Sequence, residues 1–185
     1  GGKQVDKSIK GTDYENLDLL PADLTHRKLD ITFNQLKRSK HRLSKILAPF
    51  EDEYDFVVLD CPSTINLLAE NVFNTVDYIL VPLIPTTLSV RTHEQLLSFC
   101  KKHKYAKGKI HAFFSMVDRR KKMHRELMVT VSKEFNGILQ SPIPYSSFIE
   151  RMGIEREPVV VFAPKSIAAK AYQDLWVEMN ERVLF

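Results

Sequence analysis

An α/β fold with a mainly parallel sheet flanked by helices is predicted by three features of this 185-residue chain. Short apolar runs of strand length alternate with longer segments of helical periodicity. Two of those runs, "YDFVVLD" and "DYILVPLIP", are continuously apolar, as expected of strands covered on both faces. The apolar fraction of 44% and charged fraction of 27% are those of a globular protein, and the length favours one domain spanning 1–185.

The first residues, "GGKQVDKSIK", are polar and begin without methionine, so 1–8 are expected to be a tag scar, a processed end or the start of an internal piece. "NLDLLPADL" reads as a strand entering a loop at Pro21. From Asp30 to Ala48, Ile31, Leu36, Leu43, Ile46 and Leu47 recur at helical spacing, with basic residues on the other faces, and Pro49 ends the pattern. A strand over Tyr54–Asp60 and a helix around Ile65–Asn74 follow. "DYILVPLIP", "KIHAFFSMV" and "ILQSPIPY" are the later strands, separated by helices over "TTLSVRTHEQLLSFCKKH" and "MHRELMVTVSKEF". A last helix, "SIAAKAYQDLWVEMNERVLF", carries Ala168, Tyr172, Leu175, Trp176 and Met179 on one stripe.

Several function classes are disfavoured by composition. No apolar run reaches membrane-spanning length, and no signal-peptide pattern is present, so a soluble, intracellular protein is expected. Cys61 and Cys100 make no disulfide framework or zinc spacing, and both are expected to be reduced and structural. The six histidines form no paired metal spacing and are expected at the surface or at polar edges. Charge is more informative. Residues 101–125 hold ten Lys/Arg against one acid, Asp118, so this stretch carries +9 while the whole chain is only +4. That is the electrostatic footprint of a polyanion partner.

Asp60 would be delivered to the carboxyl end of a strand, where open α/β sheets place ligands. A carboxylate there suits Mg²⁺, which keeps most of its water. A phosphate would need G-x-x-x-x-G-K-[ST] between a strand and a helix. Lysine follows glycine only at Gly2-Lys3 and Gly108-Lys109, and neither fits the pattern.

Ordered segments of the chain resemble the ParA/Soj/MinD group of deviant P-loop ATPases, nearest the ParA branch. They are "IKGTDYENLDLLPADL", "YDFVVLDCPSTINLLAENVF", "DYILVPLIPTTLSVRTHEQL", "FFSMVDRR" and "SPIPYSSFIERMGIEREPVVVFAPKSIAAKAY". The resemblance implies a P-loop NTPase-like fold without the amino-terminal P-loop unit, as in the carboxy-terminal portion of a longer ATPase. It implies ATP and Mg²⁺ as cofactors of the longer parent, with Asp60 holding Mg²⁺ through water and Pro62 and Ser63 as the switch segment. Met116, Asp118, Pro144 and Tyr145 match positions bordering adenine; the family's usual arginine is Tyr145 here, and its usual second proline is Ser63. Arg119, Arg120, Lys121, Lys122 and Arg125 are the implied DNA-binding residues. Implied partners are nonspecific DNA, a second copy in an ATP-dependent homodimer, and a ParB-like activator protein, in a cytoplasmic, nucleoid-associated setting without membrane. In relatives the P-loop strand sits beside the Tyr54–Asp60 equivalent. Without it, backbone groups costing about 1–3 kcal/mol each would be left unpaired, so the chain should rearrange, borrow a strand or belong to something longer.

Two alternatives remain. A phosphoacceptor domain would use Asp60 with Thr86 or Thr87 but needs an acidic pair, for which only Asp23 is placed. A nucleotide-independent DNA- or protein-binding module would use the basic surface alone. The lysines of 101–109 would either extend the 119–125 cluster or solubilise a helix end.

Overall fold

The computed structural model describes residues 7–21, 41–105 and 107–184, which fall in two compact units, Gly1–Val76 and Asp77–Phe185. The Asp30–Lys40 part of the expected helix, Asp23 and His26 lie outside the described residues.

In the first unit, β1 (Lys10–Gly11) and β2 (Asp18–Leu19) pair antiparallel as a small hairpin, which the expected parallel arrangement did not include. The Tyr54 hydroxyl donates to Asp18 at 2.7 Å. α1 (Arg42–Leu47) runs into a 3₁₀ turn at Ala48–Phe50 that contains Pro49. α2 (Leu67–Thr75) is capped by the Asn66 side chain, which accepts from the Ala69 N–H at 3.1 Å. Asn71, fully buried, accepts from the Arg42 N–H at 2.9 Å and donates to the Leu67 carbonyl, which locks α1 on α2.

The expected strand over Tyr54–Asp60 does not form: these residues are irregular, and Val58 is 89% exposed. A strand exists only through a neighbour's hydrogen bonds, and apolar patterning does not encode whether that neighbour is present. Cys61 is likewise exposed rather than structural, whereas Cys100 is buried.

The second unit is built on a parallel three-stranded sheet of order β3-β4-β5, with β3 at Ile79–Leu83, β4 at Ile110–Phe114 and β5 at Ile138–Leu139. The register pairs Ile79 with Ile110 through Leu83 with Phe114, and Ala112 and Phe113 with Ile138 and Leu139. α3 (Thr87–Lys102) and α4 (Lys122–Glu134) complete two crossovers. Val90, Met128, Val131 and Phe135 pack with Leu83, Ala112 and Phe114 on one face. α5 (Ser147–Glu155), the short α6 (Val159–Phe162) and α7 (Ile167–Met179) follow, with a π turn at Asn180–Leu184. On the other face Leu139 and Phe113 pack with Leu175, Ala171, Tyr172 and Met179 of α7.

Three expectations change here. β3 is not covered on both faces, since Leu80 and Pro82 are exposed. Pro82, which has no N–H to give, is tolerated because β3 is the outer strand of this ladder. Trp176 leaves the stripe and is 48% exposed. His93 and His124 are buried, each 3% exposed, instead of lying at the surface. Gly137 is the one glycine that the turn into β5 requires. Its φ is +86° and an added Cβ would meet the Ile110 carbonyl at 2.8 Å.

Leu83→Ala is expected to destabilise the second unit by about 2–5 kcal/mol through lost burial and a residual cavity. Leu88→Ala, at a 74% exposed position, is expected to stay within about 0.5 kcal/mol. Urea denaturation midpoints of the two variants check this contrast.

Candidate functional site

Beyond β4 and β5 the chain keeps its parallel pairing for a few residues. Ile143 N–H donates to Phe114 O at 2.8 Å, Val117 N–H to Ile143 O at 3.0 Å and Tyr145 N–H to Val117 O at 3.0 Å, with a bridge between Val117 and Pro144. These bonds carry two loops side by side past the carboxyl ends of the strands. Between them lies an open cleft of about 480 Å³, lined by Val117, Asp118, Arg119, Arg120, Pro144, Tyr145, Ser146, Ser147 and Phe148.

One wall is the turn that follows β4. Met116 enters it at φ +53°, a left-handed conformation uncommon for a residue with a side chain, and is 47% exposed. The Asp118 N–H donates to Nδ1 of buried His124 at 3.1 Å, so that nitrogen is the unprotonated one. The Asp118 carboxylate is gripped by Arg120: Nε donates to Oδ1 at 2.9 Å, Nη2 to Oδ2 at 3.0 Å, and the Arg120 N–H to Oδ1 at 3.0 Å. The guanidinium bonds, then the backbone bond and the nearby Arg120 and Lys121 charges, pull the carboxyl down to about 2. Arg125 reaches back from α4 to the preceding turn, its Nη1 donating to the Arg119 and Arg120 carbonyls at 2.6 and 3.2 Å.

The other wall is the start of α5. Ser146 caps it by accepting from the Phe148 N–H at 3.2 Å, so the first turn of the helix starts at the cleft with that N–H already satisfied. The Tyr145 hydroxyl donates to Glu150 Oε1 at 2.9 Å, and that bond together with the glutamate's charge raises the tyrosine's pKa.

Sequence-predicted residues therefore separate into two groups. Asp118, Arg119, Arg120, Pro144 and Tyr145 meet in one cleft. Met116 lies just outside its lining, and Lys121, Lys122 and Arg125 sit at the adjoining start of α4. Asp60, Pro62 and Ser63 belong to the first unit, where all three are exposed in irregular chain. The five cations are not equivalent. Arg120 is paired with Asp118, and Lys122 lies 3.5 Å from Glu126, while Arg119 and Lys121 are exposed with no carboxylate partner among the described residues.

Sequence reading missed His124, Ser146, Phe148 and Glu150. His124 was recoverable from its place on the His124, Met128, Val131, Phe135 stripe that packs on the sheet. Ser146 was recoverable as a serine just before the "FIERM" helical pattern.

The cleft is open, and its lining mixes polar and apolar groups with the two guanidinium groups of Arg119 and Arg120. Among the described residues no cluster of three His, Cys, Asp or Glu could hold a metal alone. Asp60, as one exposed carboxylate, suits only an ion that keeps most of its own water. Within the second unit, Asp118, Pro144 and Tyr145 line the cleft, while Asp60 is a single exposed carboxylate of the first unit.

A parallel sheet with crossover helices and a cleft at the carboxyl ends of its strands makes this a doubly wound type of α/β protein, and its fold matches P-loop NTPase-like ParA-type neighbours. The chain belongs to the AAA domain family AAA_31, which matches residues 1–116, and its relatives are ParA/Soj proteins. Sporulation initiation inhibitor protein Soj of Bacillus subtilis is 26% identical over 176 residues, covering 92% of this chain and 70% of Soj. Chromosome partitioning protein ParA of Caulobacter vibrioides is 26% identical over 188 residues, covering 96% of this chain and 69% of that protein. The fold matches a crystal structure of a putative plasmid partition protein from Borrelia burgdorferi B31 bound to AMPPNP. That match has a TM-score of 0.83 and 18% identity, over 97% of this chain and 70% of the other. Cobyrinic acid a,c-diamide synthase from Mycobacterium smegmatis, with bound ATP analogue and magnesium, gives a TM-score of 0.67 at 20% identity, over 83% and 69% of the two chains.

Asp118 should titrate near 2 by carbon-detected NMR, and Arg120→Ala should return it towards the ordinary value of about 4. Because the folded pKa is lowered, the pair's contribution to stability is complete above about pH 4 and is lost as pH falls through about 2. Because the pair is exposed, that component is small, and acid unfolding of Arg120→Ala is expected to differ only slightly from that of the unaltered chain while the Asp118 titration itself moves.

Proposed function

We propose that the chain acts within a ParA-type partition ATPase, in which ATP binding makes a homodimer, the dimer holds DNA nonspecifically, and hydrolysis resets it. The observation that carries this reading is the cleft at the carboxyl ends of β4 and β5, which joins the base-bordering positions to the basic turn. Pro144 and Val117 offer an apolar wall to adenine, and Asp118, Tyr145 and the backbone around them provide its polar edges, with Met116 at the rim. Asp118 is held by Arg120 on both oxygens, so base contacts on this side come mainly from main-chain groups.

Asp60 would hold Mg²⁺ through water, and Pro62 and Ser63 would transmit the nucleotide's state to the partner copy. Magnesium supplies charge neutralisation on the phosphates when bound. This chain's own residues orient the base and, through Arg119, Lys121 and Arg125, present cations to DNA; Arg120 and Lys122 act mainly inside the ion pairs that shape the turn. A ParB-like activator and a cytoplasmic, nucleoid-associated setting complete the reading.

One observation favours the nucleotide-independent module as a second reading. The basic lip presents charge without a nucleotide, since Arg119 and Lys121 are exposed with no carboxylate partner among the described residues.

Titration of adenosine, then ATP with Mg²⁺, into isotope-labelled chain is expected to shift amide signals of Val117–Arg120 and Tyr145–Phe148. Unshifted signals at millimolar adenosine would remove the base-edge assignment. For DNA, Arg119→Gln with Lys121→Gln is expected to lower the slope of log affinity against log salt by about 2, whereas Arg120→Gln alone should change it little. Running both with and without ATP separates the two readings.

A further inference from the structure

Residues 101–109 contain five lysines and no acid. α3 ends at Lys102, with His103 as its cap and Lys104 beyond it at φ +60°. Tyr105 N–H donates to Cys100 O at 2.9 Å and Lys104 N–H to Lys101 O at 3.3 Å, the paired bonds of a Schellman terminator. The position filled by Lys104 is the one where glycine is usual, because a side chain is strained in the left-handed region. Phe99, His103 and Tyr105 hold the turn from the side. Phe99 and His103 stack at 4.3 Å, and Tyr105 lies 6.1 Å from each with interplanar angles of 25° and 17°.

Lys101, Lys102 and Lys104 are exposed, with no carboxylate partner among the described residues. The helix dipole explains lysines in the last turn, which covers Lys101 and Lys102. It does not explain a lysine kept past the end in a glycine conformation.

The turn leads through the 3₁₀ segment Lys107–Lys109 into β4 at Ile110, so it lies at the amino end of the central strand. The cleft and its basic lip follow the carboxyl end of the same strand. Five strand residues already separate the two by about 13 Å. The lysines therefore do not continue the 119–125 cluster.

We infer that the lysine turn closing α3 is a second, independent phosphate-contacting surface for duplex DNA, at the opposite edge of the sheet from the cleft. The inference rests on the proposed function only for the class of partner. The surface itself favours a phosphate backbone over a protein. The exposed side chains of the turn are Lys101, Lys102, His103 and Lys104, and its aromatic groups Phe99 and Tyr105 are half-buried in the stack that holds it, so the turn itself offers a partner charge and no fully exposed apolar anchor. Cations without such an anchor neutralise backbone charge without reading sequence. With contacts at both edges, one chain can touch two duplex segments.

The test is fluorescence anisotropy of the 185-residue chain with a labelled mixed-sequence DNA duplex, across about 50–200 mM salt. Lys104→Gly is the informative variant, because glycine suits the backbone there. It should lower the slope of log affinity against log salt by about 0.9 without lowering the melting temperature, and adding Lys101→Gln and Lys102→Gln should deepen the loss. Arg119→Gln with Lys121→Gln forms the parallel arm for the cleft lip. Loss in both arms, combining additively, supports two surfaces; loss only in the lysine-turn arm supports this inference and removes the lip from DNA contact. An unchanged slope in the lysine-turn variants, with loss only in the lip arm, overturns it. Failure of the wild-type chain to bind the duplex at low salt also overturns it, and leaves the nucleotide reading to its own adenosine titration.

Discussion

The strand Ile110–Phe114 is hydrogen-bonded on both sides, to β3 over five residue pairs and to β5 over two. Its alternate side chains face two different helical layers. Ala112 and Phe114 turn towards α3 and α4, while Phe113 turns towards α7. A strand fixed in register by two ladders and two cores cannot slip by a residue without reversing every one of those contacts. The positions of whatever precedes and follows it are thereby fixed as well. The lysine turn and the cleft turn are the two ends of this one rigid element, so each inherits its placement from packing rather than from its own sequence.

The turn after β4 shows how a charged loop is made specific. Its backbone is held at Asp118 by His124 and at the Arg119 and Arg120 carbonyls by Arg125, while the Asp118 carboxylate closes on Arg120. These are local bonds within eight residues, and they use charged groups as structural ties. A side-chain count over 119–125 therefore overstates the free positive charge. Exposed pairs of this kind add little stability in water. Their main effect is geometric: they keep one wall of the cleft in place and leave Arg119 and Lys121 to face solvent.

The parts of the fold legible in the sequence are those governed by local periodicity. The helix over Lys122–Glu134 and the apolar run Ile79–Leu83 fall where pattern reading places them. The Tyr54–Asp60 run, equally apolar, forms no strand, because strand formation depends on partners elsewhere in the chain. The same dependence makes β3 an outer strand with an exposed Leu80 and Pro82. For the cleft, the residue types near Asp118 and Pro144 were readable, and their convergence follows from the parallel pairing of 114–117 with 143–145. The Asp118–Arg120 grip was not, since two residues of opposite charge at i and i+2 close on each other only in a particular turn. Lys104 in a glycine conformation had no sequence signal at all.

The irregular stretch "DFVVLD" has a further consequence, for the behaviour of the protein at high concentration. Phe56, Val57 and Val58 are 45%, 48% and 89% exposed, and together with Leu59 they are a short segment of high β-propensity without proline or glycine. Such segments tend to pair with copies of themselves, and flanking charges are the usual restraint. Asp55 and Asp60 are those flanking charges here. A carboxylate at each end of an exposed apolar stretch opposes pairing between copies by like-charge repulsion, and a neutral residue at Asp60 would remove one of the two.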